Sequence, residues 1–261
     1  MRERVLLLGG RGFIGHHLEQ LIGEEYDLIP FEREINSLEE IFKKDTPEII
    51  VNCSASKAND TVMDSLKANI EFQLECLRLV FKYNKNPIKW VQVASYFELQ
   101  IPMGRKDNYS IDKSFFRSVL LRLAEKNLIK VTTIFLPHVF GEGENQNRII
   151  PSIKNNLKGG GIAEISRGEQ FLPILGVKDC CFAIMAAIKT DQLICSATPI
   201  WYDRVVTLAL IMEKAISMGT IRINPEKMSI DNSFPKVEFP PQVKNWQPKM
   251  DFSNFIHQLS L

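Results

Sequence analysis

Three glycines spaced three residues apart follow a short apolar segment near the start of the chain. The apolar segment covers residues 5–8, and the glycines are Gly9, Gly12 and Gly15. This spacing predicts a strand, a tight turn and a helix packed close to the strand, because side chains at the three positions would prevent the close approach. The helix start would present free N–H groups and the positive end of the helix dipole to an anion. The pattern therefore indicates a phosphate-binding turn.

Short apolar segments alternate with amphipathic segments throughout the first half of the chain. We interpret as strands the residues 5–8, 26–31, 48–52, 90–94 and 131–136. We interpret as helices the residues 14–22, 38–43, 64–83 and 110–126. This succession predicts an α/β fold, a doubly wound parallel sheet of the Rossmann type with right-handed crossovers.

The second half of the chain is interrupted more often by proline and glycine. Helices are predicted there at residues 149–158, 179–189 and 205–218. We therefore expect a dinucleotide-binding domain that carries the catalytic residues at 1–140 and a smaller C-terminal substrate-binding lobe at 141–261. The lobe is expected to be partly interwoven with the first domain.

Composition argues against several classes of protein. The formal net charge is +1, which gives no strong field toward nucleic acid or an anionic membrane. No apolar run reaches the roughly 20 residues that a membrane-spanning helix needs. The five cysteines form no C-x-x-C pair and have no metal-ligand spacing with histidine. We therefore expect a cytoplasmic protein with free thiols and without a metal, nucleic-acid or membrane partner.

The choice of dinucleotide depends on charges after the second predicted strand. Glu32 and Arg33 stand there; an acid at this place accepts the ribose hydroxyls of NAD, and an arginine accommodates the extra phosphate of NADP. Arg11, inside the glycine turn, adds a second guanidinium that favours a phosphate. We therefore favour NADP, with NAD as the alternative. The turn residues expected to bind the cofactor are Gly9, Arg11, Gly12, Phe13, Ile14 and Gly15.

A second motif, Tyr109-x-x-x-Lys113, opens the helix after the fourth predicted strand. Residues four apart share one face of a helix, so the ammonium of Lys113 would stabilise the Tyr109 phenolate and assist proton transfer. Ser95 directly follows the fourth strand, where its hydroxyl would hold a substrate oxygen or cap the next helix. Ser95, Tyr109 and Lys113 are therefore the candidate catalytic residues.

These motifs together resemble the extended short-chain dehydrogenase/reductase family, in its nucleotide-sugar epimerase, dehydratase and reductase branch. Ser95, Tyr109 and Lys113 match the catalytic triad of the family, and the glycines match its G-x-x-G-x-x-G turn. The resemblance implies that the cofactor also contacts the turn after the third strand, an asparagine in the next helix and the end of the fifth strand. The corresponding residues are Cys53, Ser54, Ala55, Asn69 and Leu136.

The resemblance extends into the second half and implies a nucleotide-sugar substrate. Residues 136–141 resemble a family strand that ends in N-V-Y-G, with His138 where the family often has asparagine. The family often has an arginine where Leu172 stands, and Arg148 or Arg167 is a candidate for the missing charge that would hold a substrate phosphate. The substrate-binding candidates are Ser95, Tyr109, His138 and Arg148.

The family carries out several reactions, and the residues after Ser95 argue against one of them. Family dehydratases have an Asp-Glu pair where this chain has Tyr96 and Phe97. Arg11 and Arg33 favour an NADPH-consuming reductase of a 4-keto deoxysugar nucleotide, similar to the dTDP-4-dehydrorhamnose reductases and the GDP-fucose synthases. The alternatives are an NAD-dependent nucleotide-sugar 4-epimerase and a non-catalytic NADP-binding protein.

Family members often form homodimers through two helices, and the same pairing is a possibility here. The apolar residues that would take part lie on the predicted helices 64–83 and 110–126, although packing inside the core explains them equally well. They are Phe72, Leu79, Phe115, Phe116 and Leu120.

Overall fold

The computed structural model describes residues 2–29, 31, 37–56, 61–226 and 234–260. The chain divides into two compact units, and it passes between them more than once. The first unit comprises Met1–Leu136, Cys180–Ala197 and Glu238–Trp246. The second unit comprises Pro137–Asp179, Thr198–Val237 and Gln247–Leu261. The first passage lies close to the division expected at residue 140, and the later returns are not marked in the sequence.

The first unit is built on a parallel sheet. Its strands are β1 (Arg4–Leu8), β2 (Asp27–Ile29), β3 (Ile49–Asn52), β4 (Lys89–Ser95), β5 (Lys130–Leu136) and β9 (Ile194–Ser196). Its helices are α1 (Phe13–Glu25), α2 (Leu38–Asp45), α3 (Val62–Leu66), α4 (Phe72–Tyr83) and α5 (Asn108–Glu125), with a π-helical segment Lys67–Glu71 and a 3₁₀ helix Tyr96–Met103. The strand order is β2-β1-β3-β4-β5-β9, and every pair is parallel. The predicted α/β fold with a parallel sheet is confirmed.

The sheet is covered by apolar side chains, as a parallel sheet requires. All four residues of β3 are buried. Trp90 on β4 is fully buried and lies against Phe116 of α5, with ring centroids 5.8 Å apart. Burying a side chain of this size contributes about 1.5–3 kcal/mol to the free energy of unfolding. The centres of the strands therefore stabilise the unit, and the ends of the strands are available to form a site.

Two elements differ from the sequence-based expectation. The second strand covers only Asp27–Ile29, and residue 30 lies outside the described residues. The helix predicted over residues 64–83 is interrupted by the π-helical segment between α3 and α4. Apolar periodicity does not reveal such a segment, because the flanking turns keep their buried faces.

The second unit contains two smaller sheets. Its strands are β6 (His138–Phe140), β7 (Ile162–Ile165), β8 (Phe171–Gly176), β10 (Trp201–Arg204) and β11 (Thr220–Ile223). Its helices are α6 (Ile149–Lys158), α8 (Val205–Ile216) and α9 (Phe252–Ser260), and α7 (Val177–Lys189) begins in this unit and continues in the first. The strand orders are β10-β8-β6 and β11-β7. Apolar side chains of α6, α8 and α9 form one core with those of β7 and β8.

The first unit is completed by late segments of the chain. β9 pairs with β5 over Thr133–Phe135. On its other side, the Ser196 hydroxyl donates to the Pro240 carbonyl at 2.7 Å, and the Val243 N–H donates to the Ser196 carbonyl at 2.9 Å. In the described part of the chain, no helix has the length and apolarity needed to cross a membrane.

Candidate active site

The glycine turn follows β1 directly and leaves no room for side chains. Gly9 has a φ of +86°, a value that favours glycine, and a Cβ there would lie 2.7 Å from the Ser54 backbone nitrogen. A Cβ on Gly15 would lie 2.1 Å from the Gly9 carbonyl oxygen. The Gly12 N–H closes the turn by donating to that same carbonyl at 3.0 Å. The spacing noted in the sequence is therefore a steric requirement of this turn.

The start of α1 has the properties of an anion site. Gly12 precedes the helix, no described side chain caps it, and its first turn contains no acidic residue. The N–H groups of the first turn have no partner within a helix, and the dipole adds positive potential. Phe13 and Ile14 belong to this turn, and Arg11 lies exposed just before it. The turn is therefore a cradle into which a phosphate fits.

The carboxyl end of β3 lies beside the glycine turn. The Cys53 N–H donates to the Leu8 carbonyl at 2.9 Å, which joins the two strand ends. Asn52 is fully buried, and its Oδ1 accepts from the Ser54 hydroxyl at 2.6 Å. Burial raises the pKa of the Cys53 thiol to about 12, with Cys181 adding to the rise and Lys113 opposing it. Cys53 is thus a neutral thiol, and Ala55 beyond it is exposed.

A buried polar network connects the segment after β3 to α5. Asn69, in the π-helical segment, accepts from the Ser56 N–H at 3.1 Å and donates to the Ser65 hydroxyl at 3.1 Å. The Ser65 hydroxyl donates in turn to Asp112 Oδ2 at 2.6 Å. Asp112 precedes Lys113, so the network fixes the segment after β3 relative to the helix that carries Tyr109. The sequence analysis identified Asn69 but neither Ser65 nor Asp112.

Ser95 ends β4 and begins the 3₁₀ helix. Its Oγ accepts the Phe97 N–H at 3.3 Å, and its own N–H donates to Glu98 Oε1 at 2.9 Å. A hydroxyl that accepts one hydrogen bond keeps its own hydrogen for a substrate oxygen. Ser95 thus caps the 3₁₀ helix, as one of its two interpretations predicts, and its hydroxyl can still bind a substrate oxygen. Leu136, the last residue of β5, is the register partner of Ser95.

Tyr109 and Lys113 lie together on α5. Tyr109 is in the first turn of the helix, and the Lys113 Nζ is 5.5 Å from the centroid of its ring. Lys113 is only 3% exposed, and its Nζ donates to the Val93 carbonyl at 2.8 Å. Asp107 caps the helix by accepting the Ser110 N–H at 2.9 Å. The ammonium is therefore held between the backbone of β4 and the Tyr109 ring.

The connection between Ser95 and Tyr109 is short, and several contacts of Arg105 hold it together. Arg105 donates to Gln100 Oε1 at 2.9 Å and to the Ser110 hydroxyl at 3.1 Å, and it also pairs with Asp107. Its guanidinium carbon lies 3.7 Å from the centroid of the Phe97 ring. Phe97, at a position where dehydratases of the family have a carboxylate, therefore packs against a cation.

His138 and Arg148 form a cluster with Glu144 in the second unit, in which His138 and Glu144 are buried and Arg148 is partly exposed. The Arg148 guanidinium lies 3.1 Å from His138 Nδ1 and donates to the Val139 carbonyl at 3.0 Å. His138 Nε2 and Glu144 Oε1 are 3.4 Å apart, and both are buried. An arginine has only donors, so Nδ1 is the acceptor and the proton of the neutral ring is on Nε2, facing Glu144. Burial lowers the pKa of His138; Glu144 opposes this shift and Arg148 adds to it.

The remaining cofactor candidates, Glu32 and Arg33, lie outside the described residues. Among the residues that are described, no three His, Cys, Asp or Glu side chains form a group able to hold a metal.

Comparison with known proteins assigns the family. Residues 5–195 match the NAD dependent epimerase/dehydratase family. The chain belongs to this family. The resemblance to the nucleotide-sugar branch of the extended short-chain dehydrogenases is therefore confirmed.

Individual relatives within the family are distant. The chain is 24% identical over 216 residues to CDP-abequose synthase of Yersinia pseudotuberculosis, covering 72% of this chain and 74% of that protein. The UDP-N-acetylglucosamine 4-epimerase of Methanobrevibacter ruminantium M1 has a TM-score of 0.77 at 18% identity, covering 100% of this chain and 97% of that one. A GDP-6-OMe-4-keto-L-xylo-heptose reductase of C. jejuni has a TM-score of 0.78 at 12% identity, covering 99% and 96%. The same fold is thus found in an epimerase and in a reductase.

The apolar residues considered for a homodimer are mostly core residues. Leu79, Phe116 and Leu120 are fully buried within the first unit, where they pack around Trp90. Phe72 is partly buried, and Phe115 is 54% exposed. Three of the five residues are therefore unavailable for contacts between copies, and the homodimer stays a prediction.

We expect Gly15→Ala to destabilise the protein by about 3 kcal/mol, the upper end for overpacking of a close contact, because its Cβ would meet the Gly9 carbonyl. The matched control is Gly23→Ala in the same helix, where the added Cβ has no neighbour within 4 Å. That control should stabilise the helix by about 0.5–1 kcal/mol. Urea unfolding followed by circular dichroism measures both, and similar losses in the two variants would contradict the steric argument.

We expect the stability of the protein to fall as the pH drops below the ordinary histidine range, partly because of His138. Its pKa is lowered in the folded state, so the unfolded chain binds the proton first and the folded state loses stability on acidification. His138→Asn should reduce this pH dependence, by at most about 1.4 kcal/mol per pH unit for one proton.

Urea unfolding between pH 7.5 and 5.5 tests this, with the exposed His257→Asn as the control in the same unit. An unchanged pH slope in the His138 variant would contradict the assignment.

Proposed function

We propose that this protein is an NADPH-dependent reductase of a 4-keto sugar linked to a nucleotide. The observation that carries the proposal is the arrangement of Tyr109 and Lys113, with the buried ammonium 5.5 Å from the phenol ring. A tyrosine with a fixed cation beside it is suited to give a proton to a carbonyl oxygen.

The residues around the glycine turn fit a dinucleotide. Gly9 and Gly15 allow β1, the turn and α1 to pack more closely than a Cβ would permit, and the uncapped start of α1 suits a pyrophosphate. We assign cofactor binding to the turn, to Cys53, Ser54 and Ala55 after β3, and to Asn69, Tyr109, Lys113 and Leu136. When bound, the reduced nicotinamide supplies the hydride for C4 of the sugar.

The chain's own residues account for the rest of the reduction. Ser95 has a hydroxyl hydrogen available to hold the carbonyl oxygen of the substrate, since its Oγ already accepts the Phe97 N–H. Tyr109 donates its phenolic proton to that oxygen as the carbonyl becomes an alcohol. Lys113, fixed by the Val93 carbonyl, stabilises the phenolate that remains until solvent returns the proton.

The family and the similar proteins support a nucleotide-sugar as the substrate class. The similarity to a CDP-abequose synthase supports a sugar carried on a nucleotide and places CDP-linked sugars among the first to test. Arg148 has a partly exposed side chain, 38% accessible, and it is held in place by the His138 ring and the Val139 carbonyl. We propose that Arg148 and His138 contact the substrate. Tyr96 and Phe97 have no carboxyl group, which disfavours dehydration.

We expect the purified protein to oxidise NADPH with at least one 4-keto-6-deoxy sugar from a panel of CDP-, dTDP-, GDP- and UDP-linked compounds. Tyr109→Phe should lower kcat by about 100- to 10,000-fold, the usual contribution of a general acid, while NADPH still binds. The rate is followed by the loss of NADPH absorbance.

Two other outcomes of this assay would each support a different function. Sugar interconversion without net NADPH consumption, by protein that retains tightly bound NAD, would replace the reductase with a 4-epimerase. NADPH binding without turnover of any member of the panel, unchanged in the Tyr109 variant, would support a non-catalytic binding protein.

We expect Arg11→Gln to weaken NADPH binding about 10-fold and to leave NADH binding nearly unchanged, because only NADPH has the additional phosphate for a guanidinium to contact. The exposed Arg122→Gln on α5 is the control for loss of one positive charge. Fluorescence titration gives the dissociation constants. Equal weakening of both dinucleotides would show that Arg11 does not select the phosphate.

A further inference from the structure

Glu98 is a buried carboxylate for which the proposed chemistry has no use. It is 3% exposed and stands three residues after Ser95, in the first turn of the 3₁₀ helix. Both of its oxygens have partners: Oε1 accepts the Ser95 N–H at 2.9 Å, and Oε2 accepts the Arg117 Nε–H at 3.0 Å. A carboxylate whose two oxygens both accept hydrogen bonds is poorly placed to exchange protons with a substrate. The role of Glu98 therefore depends on the two residues that it binds, Ser95 and Arg117.

Arg117 is fixed from several sides. Its side chain is 18% exposed, its Nη2 donates to the Ser114 hydroxyl at 3.1 Å, and its guanidinium carbon lies 5.2 Å from the centroid of the Phe135 ring on β5. Residues four apart share a helix face, so Tyr109, Lys113 and Arg117 follow one another along α5. Lys113 contacts β4 at Val93, and Arg117 contacts Glu98 just beyond the end of the same strand.

The pair is costly to break. A buried carboxylate that loses its cation is left with an uncompensated charge, whereas the intact pair satisfies both groups. The ion pair therefore fixes the position of α5 relative to the 3₁₀ helix. The Glu98 carboxylate also binds the backbone N–H of Ser95. This one side chain therefore fixes both the position of α5 and the position of Ser95.

We propose that Glu98 and Arg117 are positioning residues that hold Ser95 in a fixed position relative to Tyr109 and Lys113. This proposal rests on the proposed ketoreductase function, in which Ser95 holds the carbonyl oxygen. Glu98 acts through Ser95: it binds the Ser95 N–H while the Ser95 Oγ accepts the Phe97 N–H, so the residue is held at two points and its hydroxyl hydrogen stays available. Glu98 itself touches neither substrate nor cofactor in this role.

A double-mutant cycle with Ser95→Ala tests the proposal. Glu98→Ala should lower kcat about 10- to 100-fold, the loss expected from a misplacement of about 1 Å. The same change in the Ser95→Ala background should have almost no further effect, because the serine that Glu98 positions is already gone. The dissociation constant of NADPH should stay within about 2-fold, since the glycine turn is untouched.

Two more variants distinguish positioning from a loss of folding. Glu98→Gln keeps an acceptor for the Ser95 N–H and should recover most of kcat, and Arg117→Gln removes the cation while leaving the carboxylate in place. If Glu98→Ala does not fold, Arg117→Gln, which should lower kcat by releasing Glu98, takes its place in the cycle with Ser95→Ala, and Glu98→Gln serves as the conservative control. The control is Glu75→Ala, which breaks the exposed pair with Arg78 on α4 and should leave kcat unchanged.

The outcomes separate the proposal from the function on which it rests. Losses that multiply in the double variant would overturn the positioning role, because Glu98 would then act independently of Ser95. A Ser95→Ala variant with full ketoreductase activity would instead overturn the role of Ser95 in the proposed function. Circular dichroism melting of every variant identifies losses of kcat that are due to unfolding.

Discussion

The arrangement of the site depends on one buried hydrogen bond, from the Lys113 ammonium to the Val93 carbonyl. A charged amine that is nearly inaccessible to water has to be paired, and here a strand backbone supplies the partner. The bond attaches α5 to β4 within two residues of Ser95 and places the ammonium beside the Tyr109 ring. It also brings Lys113 close enough to Cys53 to affect its pKa, so the ends of β3 and β4 and the helix meet around one positive charge.

Much of the first unit could be predicted from the sequence. Strands buried on both faces appear as continuous apolar runs, and the glycine turn has a spacing that few other structures need. The π-helical segment could not be predicted in this way. Asn69 lies within this segment and its amide binds Ser56 and Ser65, and such contacts leave no trace in apolar periodicity.

Buried polar pairs were the part of the site that sequence reasoning missed. Ser65 and Asp112 are far apart in the chain and meet only when α3 packs against α5. Glu98 did carry a signal, because Ser95-x-x-Glu98 is a capping-box pattern. Its second partner, Arg117, becomes apparent only from the packing of α5. The same lack of tertiary information left Phe116 and Leu120 open as surface residues, whereas they belong to the core.

The position of β9 at the edge of the sheet affects how the first unit folds during synthesis. β5 ends at Leu136, but the strand that covers its free edge begins only at Ile194, and the segment that bonds to β9 in turn follows residue 237. During synthesis the edge of β5 therefore stays open until residues 137–193 have been made, and these include the first segment of the second unit, Pro137–Asp179. An unpaired strand edge is a template for wrong pairing with another chain. The order of segments along the chain thus leaves the edge of β5 open to wrong pairing until β9 emerges.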